Sequence, residues 1–369
     1  MMPFAWLPSH VAAIAAYETS TVIASADAPA ILAGHDVWDH WPVLLPDGVT
    51  AQFGGGALVI ALTAPILPDP DARHAIARLW LFHRTSSGWR DMGPLFPDGF
   101  SPGSREWAGS AIFDASQARL MVYFTAAGMN GQTDIGFEQR LFETAAQLAV
   151  SGQDIMLGQW SPPREMVVPD GRWYETDMAG GGAIGTIKAF RDPYVFTDHA
   201  SGREFMLFAG SSAGPKSAWN GVVGIAERAA DTWQLRPPLV TATGLNNELE
   251  RPHCVDHGGQ TYLFWSTQQK VFAPDGPIGP TGLYGIVASS VAGPWRPLND
   301  TGLVFANPPQ APFQAYSWQV LSDLTVWSFA DCLGLPAAPA DSEESRAHFA
   351  GAPAPVLQLR LKDARAWLS

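Results

Sequence analysis

The stretch DPYVFTDHASGREFMLFAG, residues 192–210, contains two short apolar runs separated by a polar segment with Asp, Ser and Gly. Runs of this length, rich in aromatic and β-branched residues and bounded by turn formers, are typical of β-strands. Similar runs recur along the chain, and we predict a strand at each. The predicted strands are 56–64, 77–84, 119–126, 192–198, 204–210, 260–267, 282–290 and 324–331.

The rest of the chain offers few helices. Its 36 glycines and 31 prolines interrupt the 369 residues at short intervals, which disfavours long helices. Apolar residues at helical intervals predict a helix over 137–150, and a short helix is predicted over 8–18 with Ser9 as its N-cap. The polar, Pro- and Ala-rich residues 334–355 are predicted to form an exposed loop.

The predicted elements define the fold class as all-β. No linker divides the chain, so we expect residues 1–369 to form a single domain. Many short strands in one domain of this size leave a sandwich, a barrel or a propeller. In a propeller, site residues from several blades meet at the central channel, so they are far apart in sequence and near the starts of strands.

Charge and hydropathy exclude several classes of function. The net charge is −13 with 22 Lys and Arg residues and no basic cluster, so no nucleic-acid partner is expected. No apolar run reaches the ~18 residues of a membrane span, and the N-terminus shows no conventional signal peptide. Cys254 and Cys332 are too few for a disulfide framework. Without a CxxC they make a poor metal site, and one bridge or two buried thiols both remain open.

Three acidic residues lie among aromatic and apolar neighbours. They are Asp39 in DVWDHWPV (36–43), Asp192 in AFRDPYVF (189–196) and Glu250 in NELERP (247–252). A carboxylate in such a setting costs free energy unless it is paired or used in chemistry. Each of them, taken alone, could also be a buried structural carboxylate.

A second acid accompanies Glu250. In a strand, Glu248 and Glu250 would share a face with Leu249 on the other, and the neighbouring charges would make the pair hold one proton more tightly. Glycosyl transfer uses two carboxylates, one that attacks the anomeric carbon and one that donates a proton to the leaving oxygen. Tryptophans beside Asp39 would give a sugar ring an apolar face to stack on.

The three acidic segments, taken together and in this order, resemble those of glycoside hydrolase family 68 of the Gram-negative type. This family contains levansucrases, inulosucrases and β-fructofuranosidases. Further segments match in the same order, so the resemblance covers roughly residues 35–330. The supporting segments include REWAGSAIF (105–113), FEQRL (137–141), YLFWSTQ (262–268) and FQAYSW (313–318).

The resemblance implies a five-bladed β-propeller with a funnel-shaped central pocket, a few short helices, and residues 1–34 packing on the propeller. It implies that Asp39 is the nucleophile, Asp192 the transition-state stabiliser and Glu250 the general acid/base. The implied substrate-binding residues are Trp38, Trp107, Arg191, Glu248 and Gln268. Sucrose would be the fructosyl donor, and water, sucrose or fructan the acceptor, with no cofactor and no metal.

The chain departs from the family pattern at four positions, one of which is Glu175, where the family usually has a glutamine. Ala108 replaces a serine beside the nucleophile, so other groups would have to orient Asp39. Gln268 replaces a His or Arg on the acceptor side, which puts polymer formation in doubt. Asn247 replaces an aspartate that ligates calcium in Gram-positive relatives, so we predict no calcium. The resemblance implies an extracellular or periplasmic enzyme, whereas the lack of a signal peptide leaves a cytoplasmic location open.

The function predicted first is a retaining fructosyltransferase that makes levan or fructo-oligosaccharides from sucrose. The main alternative is a β-fructofuranosidase that mainly hydrolyses sucrose, which Gln268 and the short chain favour. A silent sugar-binding propeller is disfavoured by the intact acids. A propeller glycosidase acting on arabinose- or xylose-containing sugars is disfavoured by the tryptophans around Asp39 and by the NELERP segment.

Overall fold

The computed structural model describes residues 3–132, 134–152, 154–177, 187–214 and 217–369. Across these residues, 25 strands form five sheets of five strands. The sheets are the blades of a five-bladed β-propeller, which confirms the predicted fold. All eight predicted strands are present. No helix in the described part of the chain is long and apolar enough to cross a membrane.

The chain begins with β1 (Phe4–Ala5) and α1 (Pro8–Ala12) and then builds the blades in order. Blade 1 contains β2 (His35–Pro42), β3 (Gln52–Phe53), β4 (Gly56–Pro65), β5 (Arg78–Thr85) and β6 (Gly88–Pro94). Blade 2 contains β7 (Arg105–Asp114), β8 (Arg119–Ala127), β9 (Gln139–Ser151), β10 (Asp154–Trp160) and β11 (Arg164–Glu165). Blade 3 contains β12 (Phe190–Thr197), β13 (Glu204–Ser211), β14 (Gly221–Ala229) and β15 (Thr232–Thr241), with β1 added in parallel to β15.

Blade 4 contains β16 (Glu250–His257), β17 (Gln260–Thr267), β18 (Gly282–Ala288), β19 (Arg296–Pro297) and β20 (Leu303–Ala306). Blade 5 contains β21 (Ala315–Val320), β22 (Thr325–Cys332), β23 (Phe349–Pro353), β24 (Leu357–Lys362) and β25 (Arg365–Leu368), with α2 (Ser342–His348) before β23. Short 3-10 helices lie at Ser25–Asp27, Pro70–Ala75, Gln269–Val271 and Leu298–Asp300.

The N-terminal segment lies against blades 3 and 4. Trp6 is buried and contacts the rings of Trp265, Phe272 and Tyr284, and its indole N–H donates to the Thr301 carbonyl at 3.2 Å. Aromatic contacts of this kind add to the free energy gained by burial. The segment before blade 1 therefore contributes to the core where two later blades meet.

The predicted helix over 137–150 is wrong, because β9 (Gln139–Ser151) occupies nearly all of this range. Strand β9 lies between β8 and β10, and residues 141–146 are buried without interruption. A strand covered on both faces shows no alternation of apolar and polar residues. Its apolar positions can then also match helical intervals, which is why the periodicity was misleading.

The predicted helix at 8–18 is present but shorter. It ends at Ala12, and its N-cap is Leu7 rather than Ser9. Pro8 occupies the first helical position, where the fixed φ of proline is already helical and its missing N–H is not needed. Since the helix begins at the proline, Ser9 lies inside it and does not cap it.

The predicted loop over 334–355 is wrong for its second half, which contains α2 and β23. The Asp341 side chain caps α2 by accepting from the Glu344 N–H at 2.9 Å. Arg346 in α2 pairs with the buried Asp36 of β2 at 2.7 Å. These contacts anchor a Pro- and Ala-rich segment to blade 1, and its composition alone gives no sign of them.

Each blade begins with an inner strand that carries a β-bulge. One extra residue in the inner strand shifts its register against the neighbouring strand, and this turns local side chains toward the axis. Three bulge residues have a left-handed backbone: Asp192 (φ 62°), Arg251 (φ 48°) and Ser317 (φ 64°). The shifts lie between Val37 and His40, Trp107 and Gly109, Arg191 and Tyr194, Glu250 and His253, and Tyr316 and Gln319.

Candidate active site

The bulges of the inner strands surround a central cavity of about 470 Å³, within the range of small-molecule sites. All eight predicted site residues line this cavity. Blade 1 contributes Trp38 and Asp39, blade 2 Trp107, blade 3 Arg191 and Asp192, and blade 4 Glu248, Glu250 and Gln268. Residues that are far apart in the chain therefore meet at the axis, as expected for a propeller.

Asp39 is half-buried on β2. Burial raises the pKa of its carboxyl, and the Arg251 guanidinium and the Ser317 hydroxyl, which hydrogen-bonds to it, oppose the rise. Ser317 Oγ also accepts from Arg251 Nη1 at 3.0 Å. Ser317 thus orients the carboxyl at a site where Ala108, also in the cavity lining, has no polar side chain to offer.

Asp192 is held by hydrogen bonds at its backbone and its side chain. Its N–H donates to Thr125 Oγ1 at 2.9 Å, and its Oδ2 accepts from the Arg251 N–H at 3.2 Å. Burial raises the pKa of Asp192 to about 7, against the opposing charge of Arg191. These bonds hold Asp192 with a positive φ, a backbone conformation that non-glycine residues rarely adopt, and they fix the position of its carboxyl.

Glu250 lies between two donors. Arg191 Nη2 donates to its Oε1 at 2.7 Å, and the Tyr316 hydroxyl donates to its Oε2. The same Nη2 atom is 3.7 Å from Oε1 of Glu248, and Nη1 of Arg191 donates to Gln139 Oε1 at 3.4 Å. Arg191 is therefore shared between both glutamates, and its position controls both.

Glu248 lies just before β16 and is only 5% exposed, while Leu249 is buried in the apolar core. Both glutamates line the cavity. Burial and then the charge of Glu250 raise the pKa of Glu248 to about 7. The Glu248 carboxyl thus holds its proton more tightly than usual, first because it is buried and then because of the adjacent acid.

Arg251 is the main functional residue that the sequence did not single out. Its Nη1 donates to the Ser317 carbonyl and hydroxyl, and its Nη2 donates to the His40 carbonyl at 3.2 Å and to Gln319 Oε1 at 3.1 Å. Its guanidinium lies 5.4 Å from the Trp41 ring centroid. The residue follows Glu250 in the NELERP segment, but nothing local indicates which strands it contacts.

Further residues of the cavity wall were also not predicted individually. Tyr316 lies in FQAYSW, a segment singled out only as supporting the resemblance. Arg73 is buried, with its guanidinium 5.3 Å from the Trp38 ring centroid and 4.5 Å from that of Phe349. Asp331 also lines the wall, and burial raises its pKa. No motif in the sequence marks Arg73 or Asp331.

The two cysteines are both free and buried. Of the two alternatives, one disulfide bridge or two buried thiols, the structure shows the second. Cys254 lies on β16 and Cys332 on β22. Within the described ranges, no three His, Cys, Asp or Glu side chains are grouped as a metal would require. The cavity thus combines carboxylates, arginines and aromatic rings, a set suited to binding and cleaving a sugar.

Comparison with known proteins gives consistent matches. The family model described as Levansucrase/Invertase matches residues 9–222 and 216–368. A levansucrase of Pseudomonas savastanoi pv. glycinea is 29% identical over 95% of this chain and 86% of its own length. A levansucrase of Zymomonas mobilis is 30% identical over 93% of this chain and 84% of its own length.

Among solved structures, an inulosucrase from Halalkalicoccus jeotgali bound to kestose is similar along the whole chain. The TM-score is 0.90 and the identity 35%, with 100% of this chain and 95% of that chain covered. The similarity therefore extends over all five blades.

Proposed function

The chain belongs to glycoside hydrolase family 68, the Levansucrase/Invertase family, and we propose that it is a retaining fructosyltransferase that uses sucrose as its fructosyl donor. The observation that carries the proposal is the meeting of Asp39, Asp192 and Glu250 in one cavity. Three blades supply them, and each carboxyl has its own set of hydrogen-bond donors. Two such carboxyls are what a double-displacement reaction at a glycosidic bond requires.

In the first step, a carboxylate oxygen of Asp39 forms a bond to the anomeric carbon of the fructosyl group. The bond from that carbon to the glycosidic oxygen breaks, and Glu250 donates its proton to the oxygen so that glucose leaves. Arg251 and Ser317 favour ionised Asp39, which the attack needs. The result is a covalent fructosyl-enzyme.

Glu250 must carry a proton for this step, yet both Arg191 and Tyr316 donate to it. The Oε1 atom of Glu250 is engaged by Arg191 at 2.7 Å and is not free to face the glycosidic oxygen. We therefore propose that sucrose takes Arg191 away from Glu250 when its glucosyl part binds. Arg191 would then contact glucosyl hydroxyls, together with Glu248 and Gln268.

In the second step, Glu250 as carboxylate removes a proton from the acceptor hydroxyl, which attacks the anomeric carbon and releases Asp39. Two inversions give retention of configuration. Asp192 would stabilise the transition state by binding fructosyl hydroxyls, and Trp38 and Trp107 would flank the ring. The acceptor is water, sucrose or a growing fructan, so the products are free fructose, fructo-oligosaccharides or levan.

A β-fructofuranosidase that mainly hydrolyses is the second candidate, and Gln268 is the observation that favours it. Its neutral side chain is hydrogen-bonded to the Tyr316 hydroxyl, so part of its bonding capacity is used within the protein. A cationic or imidazole side chain at this place would offer a carbohydrate acceptor a stronger donor. A weaker acceptor site leaves the fructosyl-enzyme more exposed to water.

The proposal is tested by incubating the purified protein with sucrose and measuring free glucose and free fructose over time. Glucose in excess of fructose is the result expected for a transferase, and the missing fructose should be found in oligosaccharide or polymer. Equal amounts would replace the proposal by hydrolysis. Glu250→Gln is the control and should release neither sugar. Release of no sugar by the wild-type protein would reject sucrose as substrate.

A further inference from the structure

Lys188 lies two residues before β12, and its ammonium group is surrounded by oxygen atoms. Nζ donates to the Ala218 carbonyl at 2.6 Å, to Asn220 Oδ1 at 2.7 Å and to Asn247 Oδ1 at 2.9 Å. An ammonium has three protons, and each of these acceptors takes one. The three acceptors are neutral, so the ammonium is the positive centre of the cluster.

The cluster connects blade 3 to blade 4. Lys188 leads into β12, Asn220 immediately precedes β14, and Asn247 belongs to the segment that leads into β16. Asn247 returns a bond to the first of these segments, because its Nδ2 donates to the Ile187 carbonyl at 3.1 Å. The backbones are also close, since the Gly221 N–H donates to the Asn246 carbonyl at 2.9 Å. One side chain therefore cross-links three segments at this junction.

The third segment leads directly into the active site. Glu248 follows Asn247, and its N–H donates to Asn246 Oδ1 at 2.8 Å. Asn246 in turn donates to Thr267 Oγ1 at 2.9 Å, on the strand that precedes Gln268. Asn247 is completely buried and Glu248 is 5% exposed. A displacement of Asn247 would therefore be passed to the Glu248 carboxyl, which has little free space of its own.

The arrangement does not suit a divalent cation. Calcium binds six to eight oxygen ligands, several of them carboxylates. The oxygens around Nζ are two amides and a carbonyl, and an ammonium with its hydrogen bonds already made lies among them. A dication at this place would meet a like charge. Asn247 is also the position where the family resemblance led us to expect no calcium ligand.

We propose that Lys188 is a positioning residue of the active site. Its ammonium joins the three segments as a bound metal cation would, and it thereby holds Asn247 and Glu248 in place. This inference rests on the proposed function, in which Glu248 binds the glucosyl part of sucrose. Burial lowers the pKa of Lys188, and the charges of Glu175 and then of Glu248 oppose this fall.

The test is Lys188→Met, which removes the ammonium and keeps most of the side-chain length. We expect KM for sucrose to rise about tenfold and kcat to stay within about twofold, because ground-state binding through Glu248 is lost while Asp39 and Glu250 are untouched. The matched control is Lys362→Met, which removes the same charge from the exposed end of β24 and should leave both parameters unchanged.

A double-mutant cycle shows whether Lys188 acts through Glu248. In a Glu248→Gln background, Lys188→Met should change KM by less than about twofold, since the group that it positions is already altered. The same tenfold rise in both backgrounds would overturn the positioning role. An unchanged KM in the single variant would overturn it as well. If Lys188→Met does not fold, Asn220→Ala removes one acceptor and should raise KM in the same direction.

A measurement that needs no turnover tests whether the Lys188 ammonium takes the place of a metal cation. The Tm of the wild-type protein should change by less than about 1 °C on addition of EDTA or of calcium chloride, because nothing that binds only the folded state is removed or added. A Tm that falls with EDTA and recovers with calcium would overturn this part. Wild-type protein that does not turn over sucrose would count against the proposed function and would leave this measurement valid.

Discussion

Replacing Tyr316 with Phe removes one hydrogen bond to Glu250 and leaves the ring in place. Tyr316 is 7% exposed on β21, and its ring centroid lies 6.0 Å from that of Trp318 in an edge-on arrangement. Burial and then the charge of Glu250 raise the pKa of Tyr316 well above its usual value. The hydroxyl therefore keeps its proton at any pH at which the enzyme works, and it acts only as a donor to Glu250.

The size of the effect follows from the environment of Glu250. In the proposed first step, Glu250 becomes negatively charged as it gives its proton to the leaving oxygen, and a hydrogen bond to a charged group contributes roughly 1.5–3 kcal/mol. The Glu250 side chain is 18% exposed to the cavity, so water can replace part of what the hydroxyl provides. We therefore take the lower part of the range, about 1.5–2 kcal/mol, which corresponds to a loss of about 10- to 30-fold in kcat/KM.

The assay is the initial rate of glucose release over a range of sucrose concentrations, for wild-type protein and Tyr316→Phe at one pH. The matched control is Tyr262→Phe, which removes a buried hydroxyl that donates to the Asp363 carbonyl at 3.0 Å, outside the cavity. Its kcat/KM should equal that of wild type. A Tyr316→Phe variant that folds normally and stays within about twofold of wild type would refute the reasoning.

Three further predictions concern stability and its pH dependence. The pKa of about 7 for folded Glu248 lies above that of an unfolded glutamate. The folded protein therefore keeps a proton that the unfolded chain loses, and the contribution of Glu248 to stability falls as pH rises from about 4.3 to 7. Urea unfolding of Glu248→Gln should show a flatter dependence in this window, and an unchanged slope would contradict the raised pKa. Arg251→Lys keeps the charge but cannot reproduce four side-chain hydrogen bonds, so the free energy of unfolding should fall by about 2–3 kcal/mol, and an unchanged urea midpoint would argue against this role. Gly221→Ala would place a Cβ 2.7 Å from backbone atoms of Asn247. The free energy of unfolding should therefore fall by roughly 1–3 kcal/mol, and KM for sucrose should rise. An unchanged free energy of unfolding and KM would mean that the junction between blades 3 and 4 adjusts easily to the added methyl group.

Local sequence determined much of the secondary structure. Each predicted strand is a short apolar run ended by Gly, Pro, Asp or Ser, and these residues end a strand wherever the chain lies in the fold. The two-residue spacing of Glu248 and Glu250 also predicted, from local sequence, that both acids share one face and that Leu249 lies on the other. Leu249 enters the core, and both acids face the cavity. For the same reason, the acidic segments pointed to residues that line the cavity without knowledge of the blades.

Local sequence failed where both faces of an element are covered. Strand β9 has buried residues on both sides, because neighbouring strands and blades enclose it. The alternation that marks a half-exposed strand is then absent, and apolar residues at helical spacing belong to a strand instead of a helix. Only the packing of the sheet decides between the two interpretations.

The sequence by itself determined the all-β class, most strands and the identity of the acidic residues. The tertiary structure alone decided which groups orient those acids. The Arg251 side chain reaches the His40 carbonyl across 211 positions of the chain, and Lys188 reaches Asn247 across 59. Contacts of this separation depend on how the blades close around the axis and how each inner strand bulges. Residue type and local spacing carry no record of that geometry, because it is set by the sum of packing between blades.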